Sequence, residues 1–464
     1  MEEIIFTVTG AFQIVVFAIM MYYFILAFFG LRRKAEKKNY TPTKKFAMIV
    51  AAHNEEVVIG KLIESMLNQD YPRELFDVFV IADNCDDNTA KIARKYGVYV
   101  YERFNKEQKG KGYALEWMFD KIFKMQKKYD AVAVFDADNL VSKNWCKEIN
   151  SKMIEGYKVV QGYIDSKNPN DSWIATSYSI AFWTQNRMYQ LARANVGLSN
   201  QIGGTGFAID TDILKKFGWG ATCLTEDLEF SCKLVLNGEK VGWAHDAIIY
   251  DEKPLTLKQS WVQRRRWMQG FTDVASRYFV KLVKKGIKER KWFVLDCALY
   301  VIQPFFTLMI GISAVLSFIQ GMSPEGLNIF LISYLTGDVF FKVIGIMQFL
   351  ITPLIMRLDK KISPGLFVML IFYSLSVFIL PVFATKAENY ATVLLIDIVY
   401  NLAFLLATAL FLGKKKLILF FRFLLYSLYT LTWIPITIEG IIRKNNKEWN
   451  PTKHVRNIEI CDVQ

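Results

Sequence analysis

Carboxylates set just past short apolar runs are the first feature with chemical meaning. "VFDADN" holds Asp136 and Asp138 two positions apart after a run of small and β-branched residues. In an extended chain, residues i and i+2 project to the same side, so both carboxylates can grip one hard divalent cation. Such an ion keeps positions free for phosphate oxygens and neutralises a departing diphosphate. "VAAHNEE" ends another run with His53, Asn54, Glu55 and Glu56, and "VIADNCDDNT" ends a third with Asp83, Asp86 and Asp87. Each stretch alone is equally a turn or cap rich in Asp and Asn. Several on one sheet make a site that repels anions unless a cation bridges them.

Three further stretches carry reactive groups. "KGKGYAL" places Lys111 between two glycines, within reach of a phosphate or base, without the spacing of a Walker loop. "CLTEDLEF" offers Thr225 as a helix N-cap, followed by Glu226 and Asp227. A carboxylate beside a cation site can take a proton from an attacking hydroxyl; the plain alternative is capping. "SWVQRRRWMQG" (260–270) sets three arginines between Trp261 and Trp267, about thirty residues before the chain turns apolar. By itself that is a basic juxtamembrane anchor.

These residues need a scaffold. "FAMIVAA" (46–52), "FDVFVIA" (76–82), "VYVYE" (98–102) and "AVAVFDA" (131–137) read as buried strands separated by helical patterns such as 57–69. Alternating strands and helices predict an α/β domain with a mostly parallel sheet, whose ligands bind beyond the carboxyl ends of the strands. Around it the chain is apolar. Residues 4–29 carry no charge and are followed by "RRKAEKK", which reads as a retained anchor with the basic side inside. Further candidate spans fall at 295–319, 329–356, 364–385, 388–412 and 417–438. Strict alternation over these puts the C-terminus outside, whereas the basic tail argues for inside, so one segment, with 417–438 suspect for Arg422 and Pro435, is expected along the interface. Asp338 and Lys342 within a span either face a protein interior or water, or pair with each other at i, i+4.

Composition agrees with a polar domain fused to membrane spans. The 464 residues are 53% hydrophobic yet 22% charged, with a mean hydropathy of +0.19. The net charge of +13 is expected from basic cytosolic loops and implies no nucleic-acid partner. Six scattered cysteines and three histidines exclude a zinc or disulfide framework and fit reduced thiols.

Read in order, "DNCDDNT", "DAD", "TED" and "QRRRW" resemble the motif series of the processive membrane family 2 glycosyltransferases, the cellulose, hyaluronan, chitin and poly-N-acetylglucosamine synthases. The similarity covers roughly 40–300 by motif. It implies a GT-A (Rossmann-like) domain, cytosolic and inserted between transmembrane helices of the plasma membrane. The layout is then an N-terminal helix (1–30), the GT-A domain (40–255), interfacial helices with QRRRW (256–294), a transmembrane region (295–440) and a cytosolic tail (441–464) of open role. It implies a UDP-sugar donor and Mg²⁺ or Mn²⁺. Glu55, Asp83, Lys111, Asp136, Gln263 and Arg266 would bind the donor, and Asp136 and Asp138 the metal. Asp227 would be the general base, shaped by Thr225 and Glu226. Trp267 would hold the acceptor sugar, with Gly204 and Thr205 of "IGGTGF" letting it approach the backbone, although an ordinary turn explains that stretch equally well. Arg264 and Arg265, the variable letters, are expected toward lipid headgroups. The usual paired aspartates after the second strand are here Ala82-Asp83, which leaves the ribose or uracil contact open.

The implied reaction is inverting polymerisation of a β-linked polysaccharide across the bilayer. Glucose is slightly preferred as the sugar, giving cellulose or a mixed-linkage glucan, with N-acetylglucosamine as the alternative. A nonprocessive transfer to a polyprenyl or dolichyl phosphate is the further alternative. In residues 173–197, Ile174, Tyr178, Phe182 and Tyr189 lie near one helical face, with Arg187 and Arg193 elsewhere. That pattern fits a membrane-surface helix or a core helix.

Overall fold

A computed structural model describes residues 2–463 apart from 35–39, 221–222, 323–325, 327, 385–389 and 446–453. The side chains of 338, 341–342, 377–384 and 390 lie outside the description too, and with them the pairing expected of Asp338 and Lys342.

Phe46–Ala52 (β1), Phe76–Asp83 (β2), Tyr99–Arg103 (β3) and Ala131–Asp136 (β4) form the four expected strands, all parallel, in the order β3-β2-β1-β4. Their unbroken apolar character follows from burial on both faces. Met48, Val50, Val78 and Phe135 pack on the side of Trp145, while Ile49, Phe79, Ile81 and Val134 pack on the side of Leu115 and Phe119. The chain leaves β1 for β2 on one side and reaches β4 on the other. The crevice at the carboxyl ends of β1 and β4 is therefore a topological switch point, where ligands bind in such sheets. Glu55, Asp83 and Asp136 all lie at that edge.

The rest of the sheet is mixed, a departure from the mostly parallel sheet that the sequence predicts. Leu140–Val141 (β5), Val159–Ser166 (β6), Phe207–Asp210 (β7) and Val241–Asp251 (β8) extend it in the order β4-β7-β6-β8-β5. β7 runs antiparallel to β4 and β6, β8 runs parallel to β6, and β5 is antiparallel to β8. Buried polar residues such as Gln161, Asp165 and His245 interrupt the apolar pattern of β6 and β8.

Among the described residues, four helices are long and apolar enough to cross a membrane: Glu2–Phe28, Gln303–Met322, Ala391–Leu412 and Lys414–Ile442. The last is interrupted at Thr432, three residues before Pro435. Arg422 within it hydrogen-bonds the Asn170 carbonyl of the α/β domain. The stretches at 329–356 and 364–385 contribute the helices Asp338–Leu358 and Pro364–Ala384. The span expected at 295–319 is split at Ile302, ahead of Pro304, whose ring and missing N–H cannot continue the preceding turn.

Residues 173–197 form a core element rather than a surface helix. The helix Trp173–Gln185 buries Ile174 and Tyr178 against Tyr429, then continues through a π-helical stretch, Asn186–Leu191. Both of its arginines tie the α/β domain to the apolar helices. Arg187 Nε lies 2.5 Å from Asp359 Oδ1, and its Nη1 donates to the Gly30 carbonyl. Arg193 grips Asp296 through two bonds of 2.8 and 3.0 Å, and Tyr22 donates to the same carboxylate at 2.7 Å. Both side chains of the Arg193–Asp296 pair are almost wholly buried. Removing one partner strands a buried charge, which costs about 3–5 kcal/mol. Asp296→Ala should therefore lower the thermal midpoint of the full-length protein sharply. An unchanged midpoint would show that the pair holds nothing together.

Candidate active site

Asp136 ends β4, and Asp138 follows in a tight turn. Thr205 holds that turn: its hydroxyl accepts the Asp136 N–H at 3.0 Å and donates to Asn139 Oδ1. Thr205 is buried at the cavity wall, and its hydroxyl is committed to holding this turn. Asp138 Oδ2 accepts the N–H of Glu252, just past β8, at 2.8 Å.

Lys111 opens the helix Lys111–Lys124 and joins two motifs. Its Nζ lies 2.5 Å from Asp136 Oδ1 and 2.6 Å from the Gly204 carbonyl. Gly204 has φ +83°, and a Cβ on it would come within 3.3 Å of Asp227 Oδ2. A bare backbone in the left-handed region is what lets the Asp227 carboxylate approach this turn. Asp136, Lys111, Gly204 and Asp227 are thus one continuous constellation.

Glu226 and Asp227 begin the helix Glu226–Leu236. Thr225 stands at the N-cap position, but its side chain makes no capping bond. It packs instead on Gly270, where a Cβ would fall 2.4 Å from Thr225 Cγ2 and Oγ1. Burial raises Asp227 above the ordinary carboxylate range, against the lowering charges of Lys111 and Arg266. Glu226 is raised too, by burial first and then by the charge of Asp227. A base with a raised pKa is disarmed as pH falls through that value. We expect the acid limb of kcat/KM to lie above ordinary carboxylate titration, with activity rising through it. Glu226→Gln should move the limb to lower pH. A limb at the usual carboxylate pH would contradict this.

"QRRRW" lies in the first half of the helix Leu257–Glu289, which Thr256 and Gln259 start with a capping box. Gln263 accepts a bond from the Tyr178 hydroxyl. Arg266 lines the cavity and makes no hydrogen bond or ion pair with a described residue. The Trp267 ring meets Tyr178 edge-on at 5.9 Å and Phe182 at 6.2 Å, forming an aromatic wall. The two variable arginines do not face headgroups. Arg264 is fully buried between Tyr429 and Trp433, with centroid distances of 4.2 and 4.9 Å, and its Nη1 bonds Thr432 Oγ1. Arg265 pairs with Glu439 at 2.7 Å, and Trp261 Nε1 donates to the same carboxylate. Their function is to fasten this helix to the last apolar helices.

Lys111, Asp136, Asp138, Gly204, Thr225, Glu226, Asp227, Gln263, Arg266 and Trp267 line one cavity of about 620 Å³ that runs from His53 and Asp83 to Tyr426 and Trp433. At the first end, Asp83 is buried and paired with Arg103 at 2.6 Å, and Glu55 bonds His454 at 2.8 Å. The hard oxygen donors Asp136 and Asp138 suit Mg²⁺ or Mn²⁺. Among the described residues no three His, Cys, Asp or Glu side chains enclose an ion by themselves, so phosphate oxygens would complete its shell.

Residues 42–270 match the family model described as glycosyltransferase like family 2. The α/β domain is that of a family 2 glycosyltransferase. The glycosyltransferase is 27% identical over 285 residues to the Bacillus subtilis protein named "Probable glycosyltransferase YdaM", covering 60% of this chain and 66% of that one. It is 28% identical to a β-monoglucosyldiacylglycerol synthase of Synechocystis, covering 49% of this chain and 48% of that one. A poly-β-1,6-N-acetyl-D-glucosamine synthase of Staphylococcus epidermidis is 26% identical, covering 53% and 60%. The matches thus span about half to two thirds of these relatives. Among solved structures, the mannosyltransferase PcManGT of Pyrobaculum calidifontis superposes with a TM-score of 0.53 at 15% identity, covering 95% of this chain and 98% of its own. The glycosyltransferase therefore has a GT-A fold with flanking apolar helices.

Three contributors to its site escape sequence reading. Arg103 neutralises Asp83 from the next strand. Gly270 is the surface on which the TED turn rests. His454 arrives from beyond the apolar helices, in a tail with no motif.

Proposed function

We propose that this glycosyltransferase transfers a hexosyl group from a UDP-sugar with inversion and builds a β-linked glycan on a growing chain. The observation that carries the reading is the bridge formed by Lys111, which brings Asp136 and Asp227 to one cavity alongside Arg266 and Trp267. The acceptor sugar stacks on Trp267, since indole and tyrosine faces bury the apolar C–H surface of sugar rings. The Asp227 carboxylate takes the proton of its terminal hydroxyl. The freed oxygen forms a bond to the anomeric carbon from the face opposite the diphosphate. The anomeric C–O bond breaks, and UDP leaves with the electron pair toward Arg266 and Lys111, whose planar and point charges suit phosphates. A divalent cation held by Asp136 and Asp138 would supply further neutralising charge to the diphosphate. PcManGT, of the same fold, was solved with GDP-Man and Mn²⁺, which supports a sugar nucleotide and metal here. The aromatic wall continues into Tyr429 and Trp433 of the last apolar helices, which suits a glycan leaving between them. The catalytic domain then lies in the cytosol at the plasma membrane, the side where basic residues gather.

A second reading has its own support. The far end of the cavity is lined by Tyr426 and Trp433, where a lipid hydroxyl would enter from the bilayer, and one relative is a β-monoglucosyldiacylglycerol synthase by name. Labelled UDP-glucose and UDP-N-acetylglucosamine, offered with Mg²⁺ or Mn²⁺, separate the two. A high-mass product open to linkage-specific β-hydrolases supports the polymer. A product with a single sugar, extracted into organic solvent, overturns it in favour of the lipid.

A further inference from the structure

One charged pair beside the cavity has no part in the steps above. Asp251 is the last residue of β8, and its side chain lines the cavity with 20% of its surface exposed. Lys253 follows two positions on, with a side chain only 1% exposed, and its Nζ lies 2.6 Å from Asp251 Oδ1. Neither of these two atoms hydrogen-bonds any other described residue. The backbone around them is fixed. The Lys167 N–H donates to the Asp251 carbonyl at 2.8 Å. The Asn168 side chain accepts the Lys253 N–H at 2.8 Å and donates to the Lys253 carbonyl at 2.9 Å. Between the pair in sequence stands Glu252, whose N–H is bonded to Asp138, so Asp251 adjoins the turn after β4. On its other side, the Lys253 ammonium lies 3.4 Å from the Phe182 ring centroid and 5.7 Å from that of Tyr178. These are the two rings that Trp267 meets. The pair therefore stands between the carboxylate turn and the aromatic wall.

Such a pair is costly when left to itself. Two charges taken out of water are repaid only when further hydrogen bonds complete them, and apolar replacements are often as stable. Here Oδ1 is closed in against Lys253, which leaves Oδ2 as the oxygen open to a ligand. A sugar ring has the chemistry to complete the pair. Its C–H face covers an aromatic surface, and its edge carries hydroxyls that donate to a carboxylate. An ionised carboxylate only accepts, and its charge strengthens the bond. A uronate ring at the same place would bring a like charge against it.

We propose that Asp251 is a specificity-determining residue of the acceptor subsite: its Oδ2 accepts a hydroxyl of the sugar ring seated on Trp267, and Lys253 is the positioning residue that holds the carboxylate toward that ring. The inference rests on the glycan-acceptor reading above and narrows it to a substrate class. A neutral hexose or N-acetylhexosamine end is received, and an end that carries a carboxylate is turned away.

The test uses the full-length protein with UDP-glucose and UDP-N-acetylglucosamine as donors. Cellotriose, chitotriose and a cellotriose ending in glucuronate at its acceptor end are the acceptor probes, and UDP release is the readout. The unaltered protein should show a KM at least tenfold higher for the uronate than for the neutral trisaccharides. Asp251→Asn should raise the KM of the neutral acceptors about tenfold, the worth of a hydrogen bond to a charged group, and narrow the gap to the uronate. The loss should fall on KM rather than kcat, and UDP affinity should not follow it. Asp251→Asn combined with Lys253→Met removes the buried charge that the single variant strands. It should show the same KM shift, and it carries the test if the single variant fails to fold. An unchanged KM and an unchanged gap in the folded variants would overturn the proposal. So would a parallel loss of UDP affinity, which would place Asp251 in the donor pocket. If the unaltered protein extends none of the trisaccharides but glycosylates a lipid hydroxyl, the glycan-acceptor reading falls and this inference with it. If it extends them and the variants match it, only this inference falls.

Discussion

Asp227→Asn should leave UDP bound and stop transfer. The substitution keeps the size of the side chain and its bond to the Leu228 N–H, made by Oδ1 at 2.8 Å, so the start of the helix Glu226–Leu236 survives. It removes the only property that the mechanism asks of this group, which is affinity for a proton. General-base catalysis contributes about 10²–10⁴-fold, and kcat should fall by that order while UDP affinity moves little. The donor contacts assigned to Lys111, Asp136, Asp138 and Arg266 are untouched. Turnover close to the unaltered rate would end the assignment. Loss of UDP binding in parallel would recast Asp227 as part of the donor pocket.

Gly270→Ala should be nearly as damaging, although the residue touches no substrate. A Cβ at this position would stand 2.4 Å from both Thr225 Cγ2 and Oγ1, far inside van der Waals contact. Thr225 cannot simply turn away, because both of its branches point at Gly270. The TED turn and the QRRRW helix must then separate, carrying Asp227 away from Arg266 and Trp267. Displacing a catalytic group by about 1 Å costs about 10²-fold in rate, and we expect a loss of that order in kcat. Thr225→Gly in the same chain removes all three crowding atoms, the Cβ at 2.8 Å included, and should restore much of the rate. A double variant as slow as Gly270→Ala would show that the two residues are not coupled through this contact.

The contrast between these two positions shows what was legible in the sequence. Asp136 and Asp138 sit at the end of a parallel strand, and parallel strands bring their carboxyl ends to one edge by construction, while Asp227, at the start of a helix beyond the antiparallel β7, joins them through the order of the motifs. Their convergence could therefore be expected from order and spacing. The first four strands were legible for the same reason, since burial on both faces writes a continuous apolar run. β6 and β8 were hidden because Gln161, Asp165 and His245 face inward and serve as hydrogen-bond partners, which erases the period of a strand. The bond of Thr205 to the Asp136 turn was hidden because the two lie 69 residues apart, and "IGGTGF" reads only as backbone open to an acceptor or as an ordinary turn. Arg264 reads as a lipid-facing charge until Tyr429 and Trp433, more than 160 residues on, close over it.

That last contact sets a practical boundary. The recognisable domain stops at Gly270, and an expression fragment ending there would look complete by alignment. Yet it would deprive Trp261 and Arg265 of Glu439 and uncover the guanidinium of Arg264 along with the neighbouring aromatic rings. Such a fragment should come out of cells as sheet-containing aggregate. Biochemistry on this enzyme will need the entire polypeptide, purified in a micelle or lipid disc.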